Sequence, residues 1–172
     1  MNYDFRKHCR RFFGNASIDA AQFDGRITNM RMRYRSQTVY AQLNLLDSHD
    51  VSRFLSLCGG DRERYQLAVL FQMTFPGMPS VFYGDEQGIE GILEEEYRHP
   101  MKWNERDELF YFFQKAISLR KSEKALRQGS YRTILAEKGS RLYVYEREQE
   151  GEKIRIFLNM EEEKQDISQW CL

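Results

Sequence analysis

Along the first forty residues, apolar side chains recur at three- and four-residue steps. Residues 4 to 13 and about 19 to 36 therefore read as helices, the second capped by Asp19 with Ala20, Phe23, Ile27 and Met30 along one face. The period breaks at "LNLLDSHD", residues 43 to 50, where a short apolar run, Leu43 to Leu46, ends in Asp47, His49 and Asp50. Such a run suits a parallel strand covered on both faces, and the carboxyl end of such a strand is where α/β folds collect ligand-handling groups. After "CGGD", where Gly59 and Gly60 permit a tight turn and Asp61 can cap, "RYQLAVLFQMTF" predicts a strong helix stopping at Pro76 and Gly77. "PSVFYGDE" repeats the earlier pattern: Val81, Phe82 and Tyr83 have strand composition and lead into Gly84, Asp85 and Glu86. Two apolar strands joined by a helix make a right-handed βαβ unit with parallel strands. That unit would put Asp47, His49, Asp50, Asp85 and Glu86 on one edge, as the wall of a cleft.

From Asn104, read as an N-cap with Asp107 three residues on, "ELFYFFQKAISLRK" forms the clearest amphipathic helix, with Leu109, Phe112, Ala116 and Leu119 as its stripe. Its end is basic, which suits a helix carboxyl terminus, and Gly129 closes it. Beyond Gly129 the period changes to two. "RLYVYERE" and "KIRIFLNM" alternate about a "QEGE" turn, the pattern of a β-hairpin. The fold class is thus α/β, with a boundary between residues 1–128 and a short antiparallel β unit, 129–172.

Composition narrows the function classes. At 41% hydrophobic and 14% aromatic, the chain can bury a core and is not disordered. Lys and Arg number 26 against 26 Asp and Glu, so no overall field recruits nucleic acid or anionic lipid. The local exception is "RITNMRMRYRSQ", with Arg26, Arg31, Arg33 and Arg35. Because Ile27, Met30 and Tyr34 keep helical spacing, it reads as a helix with a solvated Arg face rather than a phosphate site. Cys9, Cys58 and Cys171 lie far apart with no CxxC pair, which argues against zinc or a redox couple and for a reducing compartment. No apolar run reaches the roughly 18 residues of a membrane span, and "MNYDFRKHCRR" lacks a signal-peptide core. A cytoplasmic chain is expected.

Taken alone, Asp50 could cap a turn and His49 could be a half-buried, satisfied imidazole. A metal held by His49, Asp85 and Glu86 has no HExxH-like spacing behind it, so neither metal nor cofactor is expected.

The segments "LNLLDSHDVSRFL", "LAVLFQMTFPGMPSVFYGDEQGIEG", "YRHPMKW" and "LRKSEKALRQGSYR" resemble, in order, the α-amylase superfamily of glycoside hydrolases. The likeness is nearest to its neopullulanase, cyclomaltodextrinase and maltogenic amylase group, and runs from "MNYDF" to about Asn159. The resemblance implies a (β/α)8 TIM barrel followed by a smaller antiparallel β domain. Met1 to Tyr3 would end the sixth barrel strand, Leu43 to Leu46 form the seventh and Ser80 to Tyr83 the eighth. Residues 1–128 would then be the carboxyl-terminal part of the barrel, and 129–172 a truncated β domain.

It also implies retaining hydrolysis of α-glucosidic bonds in starch-type oligosaccharides, cyclodextrins or pullulan. In that chemistry one carboxylate attacks the anomeric carbon and a second, about 5 to 5.5 Å away, acts as acid and then base. In the family these belong to the fourth and fifth strands, which have no counterpart in this sequence. Asp50 would be the third carboxylate. With His49 it would bond the 2- and 3-hydroxyls of the sugar being cleaved, contacts that tighten as the ring flattens. Arg98 matches an arginine that contacts the neighbouring glucose with an acid four residues earlier, here Glu94. The surrounding "ILEEEYRHP" departs from Gly-Asn-Asp-Pro-Asp-Cys-Arg-Arg-Pro. Tyr83 and Glu86 match barrel-mouth positions that support the pocket. "HDVSR" departs from His-Asp-Thr-Pro-Arg, and the missing proline leaves that turn less constrained while Arg53 remains.

Three strands cannot close a barrel, so their edges call for cover by another copy or a complementary fragment. Met1 falls where relatives have an internal methionine, as a start inside a longer or interrupted reading frame, or deliberate expression of this stretch, would give. The expectation is a chain that binds α-glucan, without nucleic acid or membrane partners, and does not turn over alone. The alternatives are a noncatalytic glucan-binding or scaffold protein, or a folded remnant of an interrupted gene.

Overall fold

The computed structural model describes residues 1–103 and 105–170. Helix α1 (Tyr3–Cys9), whose first turn is held by the Asn2 side chain accepting from the Phe5 amide, runs straight into a π-helical turn (Arg10–Gly14). Asp19 caps α2 (Ala20–Met32) through a reciprocal box with Gln22, and Ala20, Phe23, Ile27 and Met30 form its buried face as expected. The helix stops at Met32 rather than near residue 36. The Tyr34 amide bonds back to the Arg31 carbonyl in a tighter turn, leaving Tyr34 48% exposed instead of extending the stripe. A separate helix, α3 (Ser36–Ala41), follows.

The next four elements are β1 (Leu43–Leu45), α4 (Phe54–Leu57), α5 (Arg62–Thr74, capped by Asp61) and β2 (Met78–Ser80). Strands β1 and β2 pair in parallel, Leu43 opposite Met78 and Leu45 opposite Ser80. The expected strand at Val81 to Tyr83 is therefore displaced toward the amino terminus. Past Ser80 the Phe82 amide donates to Asp85 Oδ2 (2.8 Å) and the Tyr83 carbonyl accepts from Arg53 (2.7 Å), so the backbone has left the ladder. On the other side of β1, Asn2 makes a parallel bridge to Asn44, and its Nδ2 donates to Asn44 Oδ1 and Gln42 Oε1, both at 2.9 Å. From α5, Gln72 donates to the carbonyls of Asn44 (3.0 Å) and Ser80 (2.8 Å), tying the two strands together. Gly77 enters β2 at φ 114°, where a Cβ would lie 2.6 Å from Asn44 Nδ2 and 2.8 Å from the Gln42 carbonyl; only glycine fits.

A 3₁₀ turn (Asp85–Gln87) and α6 (Glu94–Tyr97) precede α7 (Glu108–Ser122). Asp107 caps α7 by accepting from the Leu109 and Phe110 amides; Asn104, expected in that role, lies outside the described residues. The buried stripe is Leu109, Phe113 and Ala116, whereas Phe112 is partly buried and Leu119 is 39% exposed. Arg120 takes the inward position instead, donating to the carbonyls of Met73 (2.6 Å), Phe75 (3.1 Å) and Gly77, so its neighbour turns outward. A break at Glu123 starts α8 (Lys124–Gln128), which ends at Gly129.

Strands β3 (Ser130–Ala136), β4 (Leu142–Gln149) and β5 (Glu152–Asn159) form an antiparallel sheet in that order. The expected hairpin is β4–β5; β3 is an additional strand whose register slips between Thr133 and Leu135. A 3₁₀ turn (Ser168–Trp170) follows.

Aromatic rings knit the helices to this sheet. Phe12 stacks on Phe23 (4.4 Å between centroids), Phe23 meets Tyr143 edge-on (5.2 Å), Phe71 meets Tyr145 (5.7 Å) and Phe75 meets Tyr131 (5.3 Å). Offset and edge-to-face pairs of this kind add to the area they bury. Arg147, fully buried on β4, donates to the carbonyls of Thr74, Leu126 (2.9 Å), Gly129 (2.9 Å) and Ser130 (2.8 Å), and Tyr40 also donates to Gly129 (2.6 Å). A guanidinium at the end of α5 meets the negative pole of that helix. Of the arginine-rich stretch, Arg31 lies over the Tyr131 ring (4.5 Å) and Arg33 pairs with Asp4 (2.9 Å).

Candidate active site

The carboxyl ends of β1 and β2 carry the acids that the pattern placed on one edge, but in two tiers. His49 and Asp50 stand at the surface, their side chains 64% and 52% exposed, while Asp47 and Asp85 are buried. Asp47 and Asp85 therefore do not line an open cleft. Asp47 instead holds the first turn of α4, accepting from the Phe54 amide at 2.7 Å, and Asp85 lies beneath Arg53.

In the outer tier Asp50 is the meeting point. Its Oδ1 lies 3.1 Å from His49 Nε2 and 3.8 Å from Arg98 Nη2, and its Oδ2 accepts from the Tyr3 hydroxyl at 3.2 Å. Tyr3 also shares a hydrogen bond with Ser48 (3.2 Å), whose Oγ accepts from the Asp50 amide (3.2 Å). Arg98 donates from Nε to the His49 carbonyl (2.7 Å) and pairs through Nη1 with Glu94 (2.9 Å), one turn back on α6. The structure thus brings His49, Asp50, Arg98 and Glu94 together. Neither local alternative fits: His49 is exposed rather than half-buried, and the cap that Asp50 could have made is made by Asp47. Tyr83 stands behind the cluster, its hydroxyl donating to the His99 carbonyl (2.7 Å) and its ring 4.6 Å from the Arg53 guanidinium. Glu86, in the 3₁₀ turn, makes no hydrogen bond or ion pair to the cluster among the described residues.

The inner tier holds the outer one in place. Arg53 is fully buried against the Phe82 and Tyr83 rings and donates to the carbonyls of Tyr83 (2.7 Å) and Tyr97 (3.2 Å) and to Asp85 (3.3 Å). It thereby links the His49 loop to the residue preceding Arg98. On the other flank, Arg6 of α1 donates to the carbonyls of Leu46 (2.6 Å) and Ser52 (2.7 Å), bracketing the same loop. Burial raises the pKa values of Asp47 and Asp85, and Asp85 goes well above the usual carboxylate range because the Asp47 charge adds to desolvation. Exposed carboxylates beside cations suit hydroxyl recognition, since they accept from two sugar hydroxyls while remaining ionised.

Sequence patterning missed Tyr3, Ser48 and Arg6, which belong to the site through segments 40 or more positions apart. The signal that could have found Tyr3 is its place at the end of the segment bridged to β1. Among the described residues, no group of three His, Cys, Asp or Glu could hold a metal ion, and no helix is long and apolar enough to cross a membrane.

Comparison with known proteins gives this geometry a context. The chain is 41% identical over 170 residues to Neopullulanase 2 of Thermoactinomyces vulgaris, covering 97% of this chain and 29% of that one. It is 38% identical over 162 residues to a cyclomaltodextrinase of Thermoanaerobacter pseudethanolicus, covering 92% and 28%. Among solved structures, a cyclomaltodextrinase superposes with a TM-score of 0.89 at 39% identity, over 92% of this chain and 28% of the other. A Nostoc punctiforme debranching enzyme soaked with acarbose gives 0.82 at 30% identity, over 92% and 36%. The chain therefore spans about 29% of the length of the first of these relatives. Residues 1–106 match the family described as alpha amylase, catalytic domain, and the chain belongs to that family.

Proposed function

We propose that this chain forms one wall of the glucan cleft of a retaining α-glucan hydrolase acting on starch-type oligosaccharides, cyclodextrins or pullulan. The observation that carries the reading is the convergence of His49, Arg98 and Tyr3 on the exposed Asp50 carboxylate at the end of a parallel strand. In this reading Asp50 and His49 bond adjacent hydroxyls of the sugar being cleaved, more tightly as the ring approaches an oxocarbenium ion. Asp50 stabilises and does not attack. Arg98, oriented by Glu94, supports both Asp50 and the neighbouring sugar, while Tyr83 and Glu86 shape the mouth.

Residues 1–128 are proposed as part of a (β/α)8 barrel and 129–172 as part of a β domain packed on it. The missing neighbours of β2 and of the segment at Asn2 in a closed barrel would come from another segment or a second copy. The nucleophile and the acid/base have no counterpart among these 172 residues, so the chain by itself is expected to bind and not to turn over. Calorimetric titration with maltooligosaccharide tests this: binding that Asp50→Ala abolishes supports the hydroxyl site. No heat at millimolar ligand argues instead for a folded remnant. Release of glucose or maltose from maltodextrin, cyclodextrin or pullulan by the chain alone would overturn the assignment of bond-breaking groups.

A further inference from the structure

We propose that the seam between α1 and α2 is a binding site for a small phosphate-class anion, held by Arg26, Arg33, His8 and Asn29. It shares no residue with the His49–Asp50 cluster and does not rest on the glucan reading. A cleft of about 370 Å³ opens there, lined by His8, Arg26, Asn29, Met32 and Arg33. That size falls among small-molecule sites, which run from about 300 to 1,000 Å³. Four of the five lining side chains carry hydrogen-bond donors, and none is a carboxylate.

Charge around the cleft is one-sided. The groups facing His8 are Lys7 and Asp4 of α1, Arg11 of the π-helical turn and Arg26 of α2, so Asp4 is the single acid among them. Asp4 is already engaged, its Oδ2 lying 2.9 Å from Arg33 Nη1. Among the described residues, the side chains of Lys7, Arg11 and Arg26 form neither a hydrogen bond nor an ion pair. Like charges therefore collect without a counterion, in a chain whose formal charge is balanced overall. The arginine stretch that reads as a solvated face is thus only partly solvated: Arg26 is half-buried in this seam.

His8 supplies the second observation. It is 7% exposed, and its Nδ1 is buried with no hydrogen-bond partner. Buried polar atoms without a partner are few in folded proteins and call for a cause. With Nδ1 sealed inside, the ring meets the cleft by its opposite side, and the tautomer protonated at Nε2 turns a donor toward a ligand. Burial pushes the His8 pKa below its ordinary 6.5, and Arg26, Lys7 and Arg11 push the same way against Asp4, so the ring is neutral while the cleft is empty. A bound anion would oppose both effects.

The donor set favours a tetrahedral oxyanion. Arg26 and Arg33 stand two turns apart on α2, and guanidinium forks match the several acceptor oxygens of a phosphate. Met32, 79% exposed, gives the cleft one apolar wall on which the body of a phosphate monoester can rest. A nucleic-acid strand would need a run of phosphate contacts, and Asp4 interrupts the positive surface.

Calorimetric titration of the intact chain with inorganic phosphate at low ionic strength tests the site. Saturable binding at millimolar phosphate is expected, weakened roughly tenfold or more by Arg26→Gln through loss of a charge-assisted bond. Arg35→Gln, an exposed arginine of the same stretch outside the cleft, should leave affinity unchanged. No heat, or equal losses in the two variants, overturns the site, since equal losses mean general attraction to positive charge. Proton NMR of the three histidines gives a readout that needs no variant. With sulfate as a probe whose own charge is constant over the titration, the His8 pKa should rise while His49 and His99 keep theirs. An unmoved His8, or a response centred on His49, overturns the assignment. A hexose monophosphate that binds more tightly than inorganic phosphate supports a monoester laid on Met32; weaker binding supports the free ion at the same four donors.

Discussion

Arg147→Met would remove the only guanidinium that, among the described residues, binds four main-chain carbonyls, those of Thr74, Leu126, Gly129 and Ser130. Gly129 keeps a donor in the Tyr40 hydroxyl and the exposed Ser130 can turn to water, so two buried carbonyls, those of Thr74 and Leu126, lose their partner. At about 1 to 2 kcal/mol for each unsatisfied group, the loss is about 2 to 4 kcal/mol. Burial opposes the charged form of Arg147 and lowers its pKa, so taking the charge out of the interior returns part of this. The net expectation is a loss of about 1 to 3 kcal/mol, appreciable against the roughly 5 to 15 kcal/mol of a typical domain. Urea unfolding followed by far-ultraviolet circular dichroism measures it, as a lower midpoint at unchanged slope. Arg147→Lys should fall between, because an ammonium has three donors radiating from one point and cannot span four carbonyls. Relief of repulsion should also let the Arg120 pKa, now held at about 10 by burial and then by Arg147, rise. A change within about 0.5 kcal/mol for Arg147→Met would refute the view that this side chain joins α5, α8 and the sheet.

Gly77→Ala combines a φ of 114° with a Cβ placed against the Gln42 carbonyl, so it should cost about 3 kcal/mol or more and separate β2 from β1; near-wild-type thermal unfolding would count against the strand pairing. At alkaline pH, Tyr65, Tyr131, Tyr143 and Tyr145 all hold their protons above the ordinary 10.0, so stability should fall as pH rises past that value. Arg6, Arg120 and Arg147, lowered from 12.5, pull the other way, but guanidinium groups give up protons so reluctantly that the tyrosines decide the sign. Tyrosinate absorbance should therefore lag for four of the ten tyrosines until the chain unfolds; early ionisation of all ten would sink this account.

Features with a local cause were readable from the chain. Asp19 and Asp61 cap helices because a short side chain before an apolar period has few other uses, and β4–β5 alternates because one face meets the core. The misreadings involve partners distant in sequence. Met78-Pro79-Ser80 has poor strand composition and is a strand only because Leu43–Leu45 and Gln72 supply its bonds. β3 escaped notice because its slip between Thr133 and Leu135 breaks the alternation. At the site, the sequence resemblance pointed to His49, Asp50, Arg98 and Glu94, which meet. Whether Asp47 and Asp85 face solvent or the interior depends on distant partners such as Arg53 and Phe54, and no local pattern records that.

The ring cluster around Phe71 bears on recombination. Its ring touches Phe5, Phe13 and Phe23 before residue 129 and Tyr143 and Tyr145 after it. A chimera that exchanged the terminal strands for those of a distant homologue would inherit mismatched hydrocarbon surfaces on both halves. Grafting at this seam should succeed only when the donor brings its own set of complementary aromatics, so the two parts are expected to diverge as a matched pair.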